Sequence, residues 1–338
     1  MKLDFEKIKE ITTGAVRIIQ KDDGEIAFYR FTKAEEELYK KTNESFYMKC
    51  FATSGVKLLF KTNSKNLILK IFTSYANSRG YFSFDVLVDG ETVGYIDNFS
   101  DLKLPEDYVD RAYPREETEK EFHLGDGVKT VCIHFPWSTG STIREITVDD
   151  DAFVEAVKPK NKLLVYGDSI TQGYDAFRPS NRYIAKLADA LDAEELNKAI
   201  GGEKFFPELA ELKDNFAPDY VTVAYGTNDW NNIDEETFKI NCRAFYKKIS
   251  ENYPDAKIFA ITPIWRKDMN EEREFGEFQK VEEDIKNETA EFENVMVISG
   301  FSFVPQDEKY YADFRLHPND DGFKFYFDNL YSKIKKYI

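Results

Sequence analysis

A serine hydroxyl is a useful nucleophile only when a base can take its proton and hydrogen-bond donors can hold the negative charge its attack creates. The sequence offers such a set. Ser169 stands in Gly167-Asp168-Ser169-Ile170-Thr171-Gln172-Gly173, directly after the apolar run 162–166, where a strand would hand over to a loop. Only three histidines are available to serve it, His123, His134 and His317. His123 and His134 fall in β-rich sequence, and His134 lies inside the apolar run 130–135, the setting of a structural histidine. His317 sits in Leu316-His317-Pro318-Asn319, after the last strand-like run and just ahead of a final helical stretch, and is the candidate base. Three donors can be named: the backbone N–H of Ser169, a backbone N–H of Gly201-Gly202 after the run 194–199, and the Asn228 amide in Gly226-Thr227-Asn228-Asp229 after the run 220–225. Glycine or asparagine after a strand is commonly just a turn former, so each feature alone is weak. Their joint order is the specific signal.

The elements that must position these residues are legible in the same stretch. From residue 162 onward, apolar strands alternate with amphipathic helical stretches, the pattern of a parallel sheet covered by helices. Strands are expected at 162–166, 194–199, 220–225, 257–261 and 295–298, and helices at 181–191, 207–214, 235–252, 272–292 and 320–337. Five such strands make a flavodoxin-like three-layer α/β domain, whose ligand crevice lies beyond the carboxyl ends of the strands. Ser169, Gly202, Asn228 and His317 all fall on that edge. The sequence before it differs: short β-rich segments at 56–60, 67–72, 81–88, 92–96, 130–135 and 144–148 are punctuated by turn formers, including the hairpin dipeptide Asp89-Gly90. An antiparallel β-sandwich, jelly-roll-like, is expected there. The polar, proline-bearing segment 155–161 separates the two, which gives domains over 1–157 and 158–338. A length of 338 residues suits two cores.

The blocks GDSITQG, NKAIGG, GTND and HPND resemble the four blocks of the SGNH (GDSL-type) hydrolases, over residues from about 160 to the C-terminus. The resemblance implies Ser169 as nucleophile, Gly202 and Asn228 with Ser169 as oxyanion-hole donors, His317 as base, and no cofactor. With a β-sandwich placed N-terminally, the layout is similar to the carbohydrate esterases of family 2, which deacetylate sugars. One position departs from the family pattern. Most members carry an aspartate three residues before the histidine, but Phe314 fills that place and the nearest acid is Asp313. A one-residue shift in a tight loop can turn a side chain to the opposite side, so the expectation is a dyad in which a backbone carbonyl orients His317, with Asp313 as the alternative third member.

Among the aromatics near these loops, Trp265 and Trp230 are expected to form a sugar-binding platform. Asp168, Asp175 and Asp229 suit capping and turning of the backbone, and without paired histidines no metal site is expected. The formal net charge of −16 disfavours nucleic acid and anionic membrane surfaces as partners. The first residues lack the apolar core of a secretory signal, and three widely spaced cysteines, Cys50, Cys132 and Cys242, suit buried thiols in a reducing compartment, so a cytoplasmic protein is expected. The leading expectation is a serine esterase that removes a short acyl group, acetyl, from a carbohydrate through an acyl-serine intermediate. The alternatives are a lipase or thioesterase for longer chains, which should show an apolar lid or tunnel, and a carbohydrate-binding protein whose hydrolase site has decayed. Retention of Ser169 and His317 argues against decay. The sequence does not specify the oligomeric state.

Overall fold

Runs of alternating apolar and polar residues in the first half of the chain bury one face of each strand, and two antiparallel sheets result. A computed structural model describes residues 1–100, 117–213 and 215–338. One sheet runs in the order Thr12–Thr13, Lys57–Thr62, Lys129–His134, Ser83–Val88, Glu91–Asp97, with Val154–Ala156 also paired to Lys57–Thr62. The other runs Arg17–Gln20, Ile26–Tyr29, Thr139–Val148, Asn66–Tyr75, Thr118–His123. Leu67, Leu69 and Ile71 from the second sheet pack in one core with Leu58, Phe60, Phe84, Val86, Val131 and Ile133 from the first. The hairpin expected at Asp89-Gly90 is present, with φ of +50° and +89° at the two residues, as a tight turn between twisted strands requires.

After the short helix Phe5–Ile11, two more helices lie between the strands Ile26–Tyr29 and Lys57–Thr62. Lys33–Thr42 starts at a capping box between Thr32 and Glu35, and Glu44–Lys49 starts where the Asn43 side chain accepts from the Phe46 N–H. Tyr39 and Phe46 on these helices pack with Phe205, Phe206 and Tyr225 of the second half.

The second half is a five-stranded, fully parallel sheet in the order Ala193–Asn197, Asn161–Gly167, Tyr220–Ala224, Lys257–Ile261, Val295–Ile298. Helices cover both faces, so the central strands are largely apolar on both sides and two separate cores form. Glu235–Asn252 lies where the helical pattern placed it. The stretch read as one helix over 272–292 is helical only at Lys280–Thr289, because Gly276 adopts φ +96° and breaks the pattern ahead of it. The helix expected over 207–214 is Pro207–Glu211, and residue 214 lies outside the described residues.

The antiparallel and parallel parts meet through buried polar contacts. Arg30 Nε donates to Ala52 O at 2.5 Å, and its Nη1 donates to Asn197 O at 2.5 Å. Lys198 and Glu35, both buried, pair at 2.7 Å, and Trp137 Nε1 donates to Ala176 O at 2.9 Å. Such groups tolerate burial only when their partners are in place.

Candidate active site

The strand Asn161–Gly167 ends at Asp168, whose Oδ1 accepts from the Ile170 N–H at 3.0 Å and starts the one-turn helix Ser169–Gln172. Gly173 closes that helix at φ +113°, and a side chain there would lie 2.1 Å from Arg182 Cδ. Ser169 is thereby pinned at the carboxyl edge of the sheet. Its Oγ lies 2.9 Å from His317 Nε2, and His317 Nδ1 lies 2.8 Å from Asp313 Oδ2. A carboxylate facing Nδ1 requires the proton there, which leaves Nε2 to accept from the serine hydroxyl.

The backbone-carbonyl dyad expected from the sequence is therefore corrected: a carboxylate orients His317. The loop around it explains how an acid four residues before the histidine reaches the ring. The Ala312 N–H donates to His317 O at 2.8 Å and Tyr311 pairs with Pro318, so residues 312–317 form a closed loop. Within it Phe314 adopts φ +55°, a left-handed turn that absorbs the additional residue. Asp313 Oδ1 accepts from the N–H groups of Arg315, Leu316 and His317 at 2.9, 2.7 and 3.0 Å, which leaves Oδ2 for the imidazole. Burial alone would push the Asp313 carboxyl up, but the His317 hydrogen bond and charge and the loop N–H groups outweigh it and hold it well below the usual carboxylate range.

A second carboxylate, which the sequence reading assigned only to turning the backbone, also faces the ring. Asp175, fully buried at φ +70°, places Oδ2 at 3.3 Å from His317 Nδ1. Arg79 grips it, with Nε on Oδ1 at 2.8 Å and Nη2 on Oδ2 at 3.1 Å, and the Tyr81 hydroxyl donates to Oδ1 at 2.8 Å. Tyr174 stacks on the imidazole at 5.6 Å between centroids. Asp175, Asp313 and His317 bring ligand-type atoms within 4.8 Å of one another, yet a guanidinium sits among them and the carboxylates already accept from protein donors. That chemistry suits a hydrogen-bonded network rather than a cation.

The expected donors occupy the ends of three adjacent strands. Among the described residues, the N–H groups of Ser169 and Gly202 meet no protein acceptor, whereas the Gly201 N–H donates to Gln172 Oε1 at 2.8 Å. Asn228, in the first turn of Thr227–Asn232, uses one amide hydrogen on Glu203 O at 3.0 Å and keeps the other. The Asp229 carboxylate binds the loops after the second and third strands together, accepting from the N–H groups of Phe205 and Gly226 at 3.0 Å each. The antiparallel part reaches this edge too: Lys49 Nζ donates to Gly201 O at 2.6 Å, and a side chain at Gly202 would lie 3.5 Å from the Phe46 ring.

Of the two tryptophans, only Trp265 remains available. It is half-buried against Tyr311, 5.2 Å between rings. Trp230 is fully buried, donates to Gly276 O at 2.8 Å and packs against the guanidinium groups of Arg266 and Arg273, so it is a core residue and not the platform expected of it. Phe314, by contrast, is exposed beside Asp313.

Fold and site are those of a carboxylic ester hydrolase, with the parallel-sheet fold preceded by antiparallel β-structure. Residues 165–325 match the model of the GDSL-like lipase/acylhydrolase family. Among solved structures the chain is similar to the salicylyl-acyltransferase SsfX3 from a tetracycline biosynthetic pathway, at 18% identity and a TM-score of 0.77 over 96% of this chain and 94% of that one. It is similar to a GDSL-like lipase from Bacteroides ovatus, at 20% identity and a TM-score of 0.76 over 99% and 97%. A family two carbohydrate esterase from Clostridium thermocellum, solved with cellohexaose, follows at 17% identity and a TM-score of 0.64 over 84% and 93%. These likenesses show the fold, with both of its parts in one chain. No curated protein matches the sequence. Among the described residues, no helix is long and apolar enough to cross a membrane.

Proposed function

We propose that this chain, divided into domains over 1–157 and 158–338, hydrolyses short acyl esters, acetyl above all, carried on a carbohydrate. The observation that carries the reading is the continuous hydrogen-bonded line from Ser169 Oγ through His317 to Asp313. Ser169 attacks the acyl carbon as its proton passes to His317 Nε2, and the imidazolium that forms is held by Asp313. The N–H groups of Ser169 and Gly202 and the free Asn228 amide hydrogen receive the oxyanion. His317 then returns the proton to the leaving alcohol, and water, activated by the same nitrogen, releases the acid.

One feature favours a polar alcohol. An open groove of about 560 Å³ runs along the catalytic loop, lined by Lys267, Asp268, Asn270, Asp313, Phe314 and Arg315. Its mix of hydrogen-bonding groups and one exposed aromatic face suits a sugar ring. The free cysteines, with the Cys50 and Cys242 thiols pushed up by burial, suit a reducing compartment, and we place the enzyme in the cytoplasm.

The test is hydrolysis of p-nitrophenyl acetate, p-nitrophenyl octanoate and acetylated xylo-oligosaccharides by the purified chain and by Ser169→Ala. Acetyl esters should be turned over faster than octanoyl esters, acetate should be released from the sugar, and Ser169→Ala should lose turnover with little change in thermal stability. Faster cleavage of the octanoyl ester would move the assignment to a lipase. Undiminished turnover in Ser169→Ala would remove the mechanism.

A further inference from the structure

Asp175 and Arg79 stand outside the serine–histidine–aspartate line, yet among the described residues they link the antiparallel part to the catalytic histidine. We infer that Arg79 and Asp175 form an ion pair that positions His317 and sets how readily it takes the serine's proton, so that the N-terminal part is a working component of the site. The inference rests on the reading of Ser169 and His317 given above.

The geometry has three parts. Oδ2 of Asp175 is shared, facing His317 Nδ1 at 3.3 Å on one side and Arg79 Nη2 at 3.1 Å on the other. One N–H cannot point straight at two carboxylates, so Asp313, at 2.8 Å, takes the hydrogen bond and Asp175 acts on the ring chiefly through its charge. Arg79 also lies over the Tyr174 ring at 5.2 Å, and Tyr174 in turn stacks on His317. Arg79 therefore touches both groups that flank the imidazole away from Asp313. It comes from the connection between the strands Asn66–Tyr75 and Ser83–Val88, far from the catalytic fold in sequence.

Charge explains why the pair matters. A bare second carboxylate beside the ring would favour the imidazolium and remove the base the reaction needs, and a guanidinium bound bidentately to that carboxylate offsets the effect. Among the described residues, the titratable and charged groups around His317 are Asp313 on its own loop, Tyr174 and Asp175 on the turn after the Ser169 helix, Arg79 and Tyr81 from the sandwich, and Asp168 at the end of the first parallel strand. Of these, Arg79 is the cation, and it is bonded to the carboxylate nearest the ring after Asp313. It is a positioning residue, as is Asp175, because neither touches the reacting atoms.

The measurement is an NMR titration of the His317 ring, made tractable by there being only three histidines, beside the pH profile of kcat/KM for p-nitrophenyl acetate. Four variants are compared with wild type: Arg79→Met, Arg79→Lys, Asp175→Asn and the Arg79→Met/Asp175→Asn double variant. Arg79→Met should move the His317 midpoint and the acid limb of the profile up by about one pH unit, Asp175→Asn should move both down, and the double variant should fall between them, near wild type. Arg79→Lys keeps the charge and should stay near wild type in midpoint while losing kcat through the lost fork. Should Arg79→Met not fold, Asp175→Asn decides alone. A wild-type His317 midpoint in Asp175→Asn overturns the inference, as do equal shifts of the same sign in both single variants. The ring titration needs no turnover, so failure of the esterase reading shows separately, as absent hydrolysis by wild type.

Discussion

The two oxygens of Asp313 do different work: Oδ1 holds three N–H groups of its own loop, and Oδ2 holds the histidine. Removing the side chain therefore costs both the orientation of the ring and the charge that stabilises the imidazolium. Asp313→Ala should lose about 10⁴-fold in kcat and approach the damage of His317→Ala, measured with p-nitrophenyl acetate at saturating substrate. A loss below tenfold would mean that Asp175 or a backbone carbonyl suffices. At this scale the sequence showed much of the site, because Ser169, Gly202, Asn228 and His317 each follow or close a strand in a readable order. The pairing of Asp175 with Arg79 was not visible, since it joins two loops 96 residues apart. Trp230 misled for a different reason: position after a strand says nothing about which way a ring turns, and this one turns into the core against two arginines.

The loop 312–317 shows where element-level reading failed. Counting residues placed Phe314 where an acid was wanted and implied that Asp313 would point away. The count was right and the implication was not, because φ +55° at Phe314 reverses the chain for one residue and no sequence pattern announces a left-handed phenylalanine. Phe314→Gly should fit that backbone without strain and, with its exposed ring removed, should leave stability within about 1 kcal/mol of wild type. Activity on p-nitrophenyl acetate should persist, while KM for an acetylated oligosaccharide should rise if the ring faces the sugar. A collapse of kcat on the small ester would instead show that the ring holds the loop together. Elsewhere the longer apolar runs were the legible ones. The parallel strands were placed within a residue or two, whereas the edge strand Thr118–His123, mostly exposed and charged, has no apolar run to show it. The helix Lys33–Thr42 carries its capping box, Thr32 and Glu35, in plain sequence.

Over the whole molecule, the place where the two halves and the catalytic edge join is also where protons are held. Glu203 accepts from the hydroxyls of Tyr39, on an N-terminal helix, and Tyr225, at the end of a parallel strand, while its carbonyl holds Asn228. Burial pushes its carboxyl up to about 8 despite those donors, and pushes Asp229 up to about 7. In the unfolded chain both ionise near pH 4, so the folded state binds more protons than the unfolded one across neutrality, and their contribution is lost as pH rises through the folded values. His134 works in the opposite direction only at lower pH, because burial holds its ring neutral and the unfolded ring charges below about 6.5. Between pH 6.5 and 8 the two carboxyls therefore set the slope, and the net charge of −16 adds self-repulsion of the same sign. Thermal melts should show Tm falling across that window by on the order of 3 °C, with the decline shallower in Glu203→Gln, which keeps a neutral group in the place of the protonated acid. A Tm that stays level or rises from pH 6.5 to 8 in the wild type, or an equally steep decline in Glu203→Gln, would show that the proton at this junction is not Glu203's.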